Sequence, residues 1–284
     1  MKRCFGAGLI LLLSGCSRID SLLMEPNITP EQWCDGMPCV EILSTGVILN
    51  QPFSSLLVYL LGLMWIWAGL RFWNTAEGQA SKLWWCISLM LGGVAAISAG
   101  TSYQAFGYEL KCAGRELCVW TNGWEIAYMI LQVGSFNAML VAVAHSCTTG
   151  VLRRVLIVYA GINFILHFVV TLVGIYTPDR FLLSFELLVL FITPSILMVF
   201  FINVWRYTRY RQLLDLVLLG NWALLFVANT AYYAYLSGGY TQRLWEQGVW
   251  FSENDVLHVL VAVWVFYVGR VLVERVHDYT VPRP

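Results

Sequence analysis

The chain has 284 residues, of which 59% are hydrophobic and only 12% charged, and its formal net charge is +0. With a mean hydropathy of +0.68, it falls far below the roughly one quarter of charged residues usual in soluble domains. A soluble fold is excluded, and no basic face is available for nucleic acid.

In chain order, the first element is a processing signal. Lys2 and Arg3 precede the apolar run Phe5–Leu13, and Leu13-Ser14-Gly15-Cys16 follows. That tetrapeptide resembles a lipobox, in which the cysteine thiol is acylated (palmitate and related chains) and the chain is cut before it. Residues 1–15 then form a lipoprotein signal peptide, Cys16 the lipidated first residue, and 16–53 an N-terminal segment outside the membrane. Since a chain with many spans stays where it is inserted, the location expected is the bacterial inner membrane.

Seven stretches are apolar over the roughly 20 residues a helix needs to cross the hydrocarbon core. They are 54–71, 83–105, 123–145, 153–176, 181–204, 212–236 and 252–273. The fold expected is an all-α bundle of seven transmembrane helices over 54–274, followed by a tail, 275–284. Charges collect in short separators such as Arg206-Tyr207-Thr208-Arg209-Tyr210-Arg211.

Orientation follows from two independent signals. A lipidated Cys16 places the N-terminus in the periplasm and the C-terminus in the cytoplasm. The positive-inside bias agrees. Arg71, Lys82, Arg153, Arg154, Arg206, Arg209, Arg211, Arg270, Arg275 and Arg283 fall on the side assigned to the cytoplasm, and only Arg18, Lys111, Arg115, Arg180 and Arg243 on the other. The same orientation puts Cys34, Cys39, Cys112 and Cys118 in an oxidising compartment, where two disulfides can form. Spacing alone leaves their connectivity open, and it is poor for a zinc site.

Ionisable groups inside a span are costly and therefore informative. Glu125 opens the third span, Glu186 lies one turn into the fifth, and Asp255 and His258 open the seventh. Ser98, Ser102 and Tyr103 close the second span, Asn229, Tyr232 and Tyr233 the sixth, and His167 lies past the middle of the fourth. All fall in the periplasmic half, which predicts a polar cavity opening outwards. In the other half Asp215 is expected to pair with a nearby Arg. Asn254 and His258, four apart, share one helix face. His145 and His277 fall on the cytoplasmic side, which leaves His167 and His258 as the only pair for a two-His metal or haem site. A retinal protein is excluded, because Lys2, Lys82 and Lys111 are the only lysines and none lies in the seventh span.

The motif positions resemble the CREST superfamily of seven-span membrane hydrolases, which includes alkaline ceramidases and progestin/adipoQ receptors. The resemblance rests on Cys39-Val40-Glu41 with Gln51-Pro52-Phe53-Ser54-Ser55, on Ser98-Ala99-Gly100-Thr101-Ser102-Tyr103, on Trp124-Glu125, and on Asn254-Asp255-Val256-Leu257-His258. It implies a seven-span fold and zinc-dependent hydrolysis of a lipid amide, the metal-bound water being the nucleophile. Ser98 then matches the family's Ser, Glu125 its acid, and His258 the second His of the last span. Two ligands depart from the pattern: Ser102 stands in place of the second-span His, and Asn254 in place of the first His of the last span. A metal would need His258, Glu125 and Asn254, or help from Glu186 or His167, so the zinc ligand set is incomplete. Two functions follow. One is a lipid-amide hydrolase with an outward-facing site. The other is a non-enzymatic receptor or accessory subunit that has lost the zinc ligands, with the bilayer and a lipid-like ligand as partners. No inverted repeat supports transport.

Overall fold

The computed structural model describes residues 18–279. The signal-like segment 1–15, the lipidation candidate Cys16 and the last five residues lie outside them.

Long apolar runs become helices because only a helix satisfies its own backbone in hydrocarbon. Among the described residues seven are long and apolar enough to span a membrane: α1 (Pro52–Asn74), α2 (Ala80–Ala105), α3 (Gly123–Cys147), α4 (Gly150–Tyr176), α5 (Phe185–Tyr210), α6 (Leu213–Ser237) and α7 (Glu253–Arg275). The all-α seven-helix bundle expected from the sequence is the fold observed.

Packing gives the helix order. α1 packs on α2 and α7, α2 on α3, α3 on α5, α5 on α6, and α6 on α7, which closes a ring of six. α4 stands outside it, principally against α3. Burial marks α3 as the central helix, with 67% of its apolar window buried. Small residues permit a close crossing where α1 meets α2. A Cβ on Gly93 would lie 2.9 Å from the Gly62 carbonyl, which is the small-residue contact that membrane helices use in place of hydrophobic drive.

Polar side chains tie α4 and α5 to α3. Asn163 donates to Asn137 Oδ1 at 3.2 Å and to the Phe191 carbonyl at 3.0 Å, and Ser195 donates to the same Asn137 oxygen at 3.2 Å. Pro194, three residues beyond Phe191, has no N–H to give and leaves the neighbouring Leu190 carbonyl of α5 without its helical donor. His167, one turn beyond Asn163, is buried edge-on against the Phe191 ring at 5.1 Å.

The start of α5 corrects the sequence reading. Residues 181–183 form a single 3-10 turn, and the Ser184 hydroxyl accepts from the Leu187 amide, so the helix begins at Phe185. At its other end the helix runs through the charged run to Tyr210. Glu186 is therefore in the first turn and exposed, rather than one turn inside the span.

The N-terminal segment and the 106–122 connector cover one end of the ring together. A 3-10 helix (Pro30–Gly36) leads into an antiparallel ribbon of β1 (Cys39–Glu41) and β2 (Ile48–Asn50). Disulfides link Cys34 to Cys39 and Cys112 to Cys118, so each closes a local loop. Met24 N–H donates to the Cys118 carbonyl at 3.0 Å, and Cys118 N–H to that of Ile28 at 2.9 Å. Cys86 and Cys147 are free and buried.

At the opposite end Arg206 and Asp215 form the ion pair expected of Asp215, at 2.8 Å. The C-terminal segment returns there. Asp278 accepts from the Ser81 amide at 2.7 Å and the Ala80 amide at 3.0 Å, capping the start of α2. Burial opposes the Asp278 charge, but these amide donors outweigh it and hold the carboxyl below its ordinary range.

Candidate functional site

Within the ring, in the half nearer the disulfides, lies a cavity of about 560 Å³. Its wall is built from six helices and the turn before α1: Gln51, Val58 of α1, Ala99, Tyr103 and Gln104 of α2, Tyr128 of α3, Phe185 of α5, Asn229, Tyr232 and Tyr233 of α6, and Asn254, Leu257 and His258 of α7. Of the polar groups expected to share a cavity, Tyr103, Asn229, Tyr232, Tyr233 and His258 line this one, and it joins elements far apart in sequence.

Local structure explains how each side chain arrives there. Gln51 has φ of 40°, the left-handed region in which a non-glycine residue is strained. It ends the ribbon and begins α1. The last turn of α2, Gly100–Ala105, is a π-helix, a widened turn that often marks functional positions. Gly100 lets α1 lie against this turn: a Cβ there would meet Val58 Cγ1 at 2.3 Å. Tyr103 and Gln104 emerge from this turn into the cavity, while Ser102 serves a different network. On α7 the four-residue spacing of Asn254 and His258 puts both on the cavity face, as the sequence implied.

Hydrogen bonding in the cavity is incomplete. The side-chain oxygens of Gln51 and Gln104 and Nδ1 of His258 have no protein partner, and Gln104 is only 6% exposed. Buried polar atoms are rarely left unpaired, so these are places for a ligand or water to bond. No Lys, Arg, Asp or Glu is among the lining residues. The cavity presents phenols, amides and one imidazole.

The remaining predicted residues lie elsewhere. Ser98 is buried but does not line the cavity. Glu125 is 3% exposed and engaged: its Oε1 lies 2.5 Å from Lys111 Nζ and accepts from Ser102 Oγ at 2.7 Å. Ser102 in turn accepts from Asn122 Nδ2 at 2.6 Å, and Lys111 also donates to the Trp120 carbonyl at 2.9 Å. Asp255 caps α7, its Oδ2 accepting from the Ser252 amide at 2.6 Å and the Ser252 hydroxyl at 2.9 Å. Glu186 is exposed beside Phe185. His167 belongs to α4, outside the ring, and does not meet His258.

Zinc does not fit this arrangement. Among the described residues no three of His, Cys, Asp and Glu stand together as a ligand set. Glu125, the carboxylate that would complete it, already neutralises Lys111.

The sequence reading missed Tyr128 and Lys111. Tyr128 sits one turn after Trp124 in an aromatic-rich helix start, a pattern indistinguishable from an interfacial belt. Lys111 read as a loop charge, and the clue to its role was the disulfide-closed loop that returns the chain to Glu125. Comparison of the chain with family models, curated proteins and solved structures finds no match.

Proposed function

We propose that this chain is a non-enzymatic receptor or accessory subunit of the bacterial inner membrane that binds an amphiphile in the cavity around His258. One observation carries the reading: a cavity of about 560 Å³ whose polar atoms are all neutral groups, with buried Gln104 left unpartnered. Neutral donors and acceptors in an apolar frame bind and orient a ligand head. They supply neither a metal-bound hydroxide nor an activated nucleophile. On this reading a CREST-like scaffold keeps His258 in place and no longer holds zinc.

The ring walls support an entry from the bilayer. Around the cavity, α1 meets α2 through Tyr59 and Thr101 at 3.0 Å, α2 meets α3 through Ser102 and Glu125, and α6 meets the start of α7 through Tyr235 and Phe251. α5 and α6 join instead at mid-span, through Phe200 and Phe226, and at the far end, through Arg206 and Asp215. Their cavity-side ends, with Phe185 and Tyr233 exposed, leave the side door.

The same reading takes the disulfide end as periplasmic. Two disulfides and few cations there, against many Lys and Arg at the other end, support it. Arg18, the first described residue, lies at that end bonded to the Tyr176 carbonyl at 3.0 Å, which is compatible with a lipid anchor at Cys16.

Native mass spectrometry of protein purified in mild detergent tests the binding. Wild type is expected to retain an amphiphile. Asn254→Trp, which fills part of the cavity, is expected to weaken retention roughly 10- to 100-fold, the scale of overpacking a fitted site. Equal retention by both proteins, or cleavage of ceramide-like amides by the purified chain, would defeat the proposal.

A further inference from the structure

A second concave site lies outside the ring, at the disulfide end. Its wall contains Asp35, Gly36, Met37 and Pro38 on one side and Gln242, Trp245, Glu246 and Trp250 on the other, around about 280 Å³. The first four residues are the whole interior of the loop closed by the Cys34–Cys39 disulfide. Asn50 pins that loop, its Nδ2 lying 3.2 Å from Cys39 Sγ, while its Oδ1 accepts from the Tyr108 amide at 2.9 Å. One wall is thus rigid before any ligand arrives. The other is the short helix Tyr240–Glu246 and the turn that follows it.

The chemistry of this groove is specific. It carries two carboxylates, Asp35 and Glu246, two indoles and no Lys or Arg. Arg243, the cation on the short helix, lies over the Tyr240 ring at 5.8 Å and does not line the groove. Carboxylates and indoles lining one groove suit an alkylammonium, which charge and cation–π attraction can hold together. Trp250 also lines a neighbouring apolar hollow with Phe53, Val249 and Phe251. Phe53 is in the first turn of α1 and Phe251 stands just before α7, so the hollow lies where the spans enter hydrocarbon. An acidic, aromatic groove that continues into an apolar hollow at that level matches a head and the upper part of its chains.

We infer that this groove binds the ammonium headgroup of a membrane lipid, with Trp245 and Trp250 against the cation, Asp35 and Glu246 neutralising it, and the chains passing over Phe53 and Phe251. The site is separate from the His258 cavity, and the inference does not depend on what that cavity holds.

The test uses the full-length protein in phosphatidylglycerol nanodiscs doped with phosphatidylethanolamine, followed by native mass spectrometry of the lipids that stay bound. Both lipids carry a phosphate, but phosphatidylglycerol is net negative, so Trp250→Ala, which leaves both carboxylates in place, separates ammonium binding from simple repulsion of the anionic lipid. Wild type is expected to enrich phosphatidylethanolamine about tenfold over its share in the disc. Asp35→Asn with Glu246→Gln, and separately Trp250→Ala, are expected to abolish the enrichment. Asp35, Glu246 and Trp250 are exposed, so these variants should fold with an unchanged melting temperature. Equal retention of the two lipids by wild type, or an enrichment that survives both variants, would overturn the inference.

Discussion

Lys111→Met is expected to lower the stability of the folded protein by about 3–5 kcal/mol, the cost of leaving a buried carboxylate without its partner. Lys111 and Glu125 are both almost fully buried, and their contact of 2.5 Å ties the 106–122 connector to the first turn of α3. The effect reaches beyond two side chains, because Ser102 bonds the same carboxylate and Asn122 bonds Ser102 while capping α3. Removing both charges should cost far less than removing one. Lys111→Met with Glu125→Gln should therefore recover most of the loss, as measured by thermal unfolding in detergent against both single variants. A double variant no more stable than Lys111→Met would show that the two residues act independently.

Arg206→Met should have an effect of the same size, again about 3–5 kcal/mol. The guanidinium uses three nitrogens at once: Nε to Asp215, Nη1 to the Cys147 carbonyl and Nη2 to Gln212, each at 2.8 Å. It also lies 4.8 Å from the Tyr279 ring centroid, so α3, α5, α6 and the returning C-terminal segment meet on one side chain. An ammonium cannot reproduce that fork. Arg206→Lys should consequently remain markedly destabilised, whereas Asp215→Asn added to Arg206→Met should relieve part of the loss. Full stability in Arg206→Lys would mean that charge alone holds this end together.

These two ion pairs also show how far the residues could be read before the fold. Asp215 follows Arg206 across a tight turn between two spans, so a partner nearby was an obvious demand of any buried acid. Glu125 posed the same demand, but its partner lies fourteen residues upstream, and only the folded connector brings them together. Taken alone, Glu125 resembled a catalytic acid; with Lys111 beside it, the carboxylate is a structural tie.

The cavity was legible in part for a similar reason. Depth along a span can be counted from the apolar run, and His258, Asn254, Tyr103, Asn229, Tyr232 and Tyr233, which the count sets towards the same end, line one cavity. Position around the ring cannot be counted that way. It depends on which helices touch, and the exclusion of α4 removed His167 from the site although its depth suited it. The π turn at Gly100–Ala105 left no periodic trace, yet it separates Ser102, which faces Glu125, from Tyr103 and Gln104, which face the cavity. Ser184 shortened the fifth span at its start by a capping bond that hydropathy does not register.

The choice between a binding protein and a zinc hydrolase turns on whether His258 holds a metal. The most direct measurement is the zinc content per chain of protein purified without chelator, compared between wild type and His258→Ala. The neutral lining of the cavity predicts well under one zinc ion per chain in both proteins. One zinc ion per wild-type chain, lost on replacing His258, would contradict this reading and restore the hydrolase.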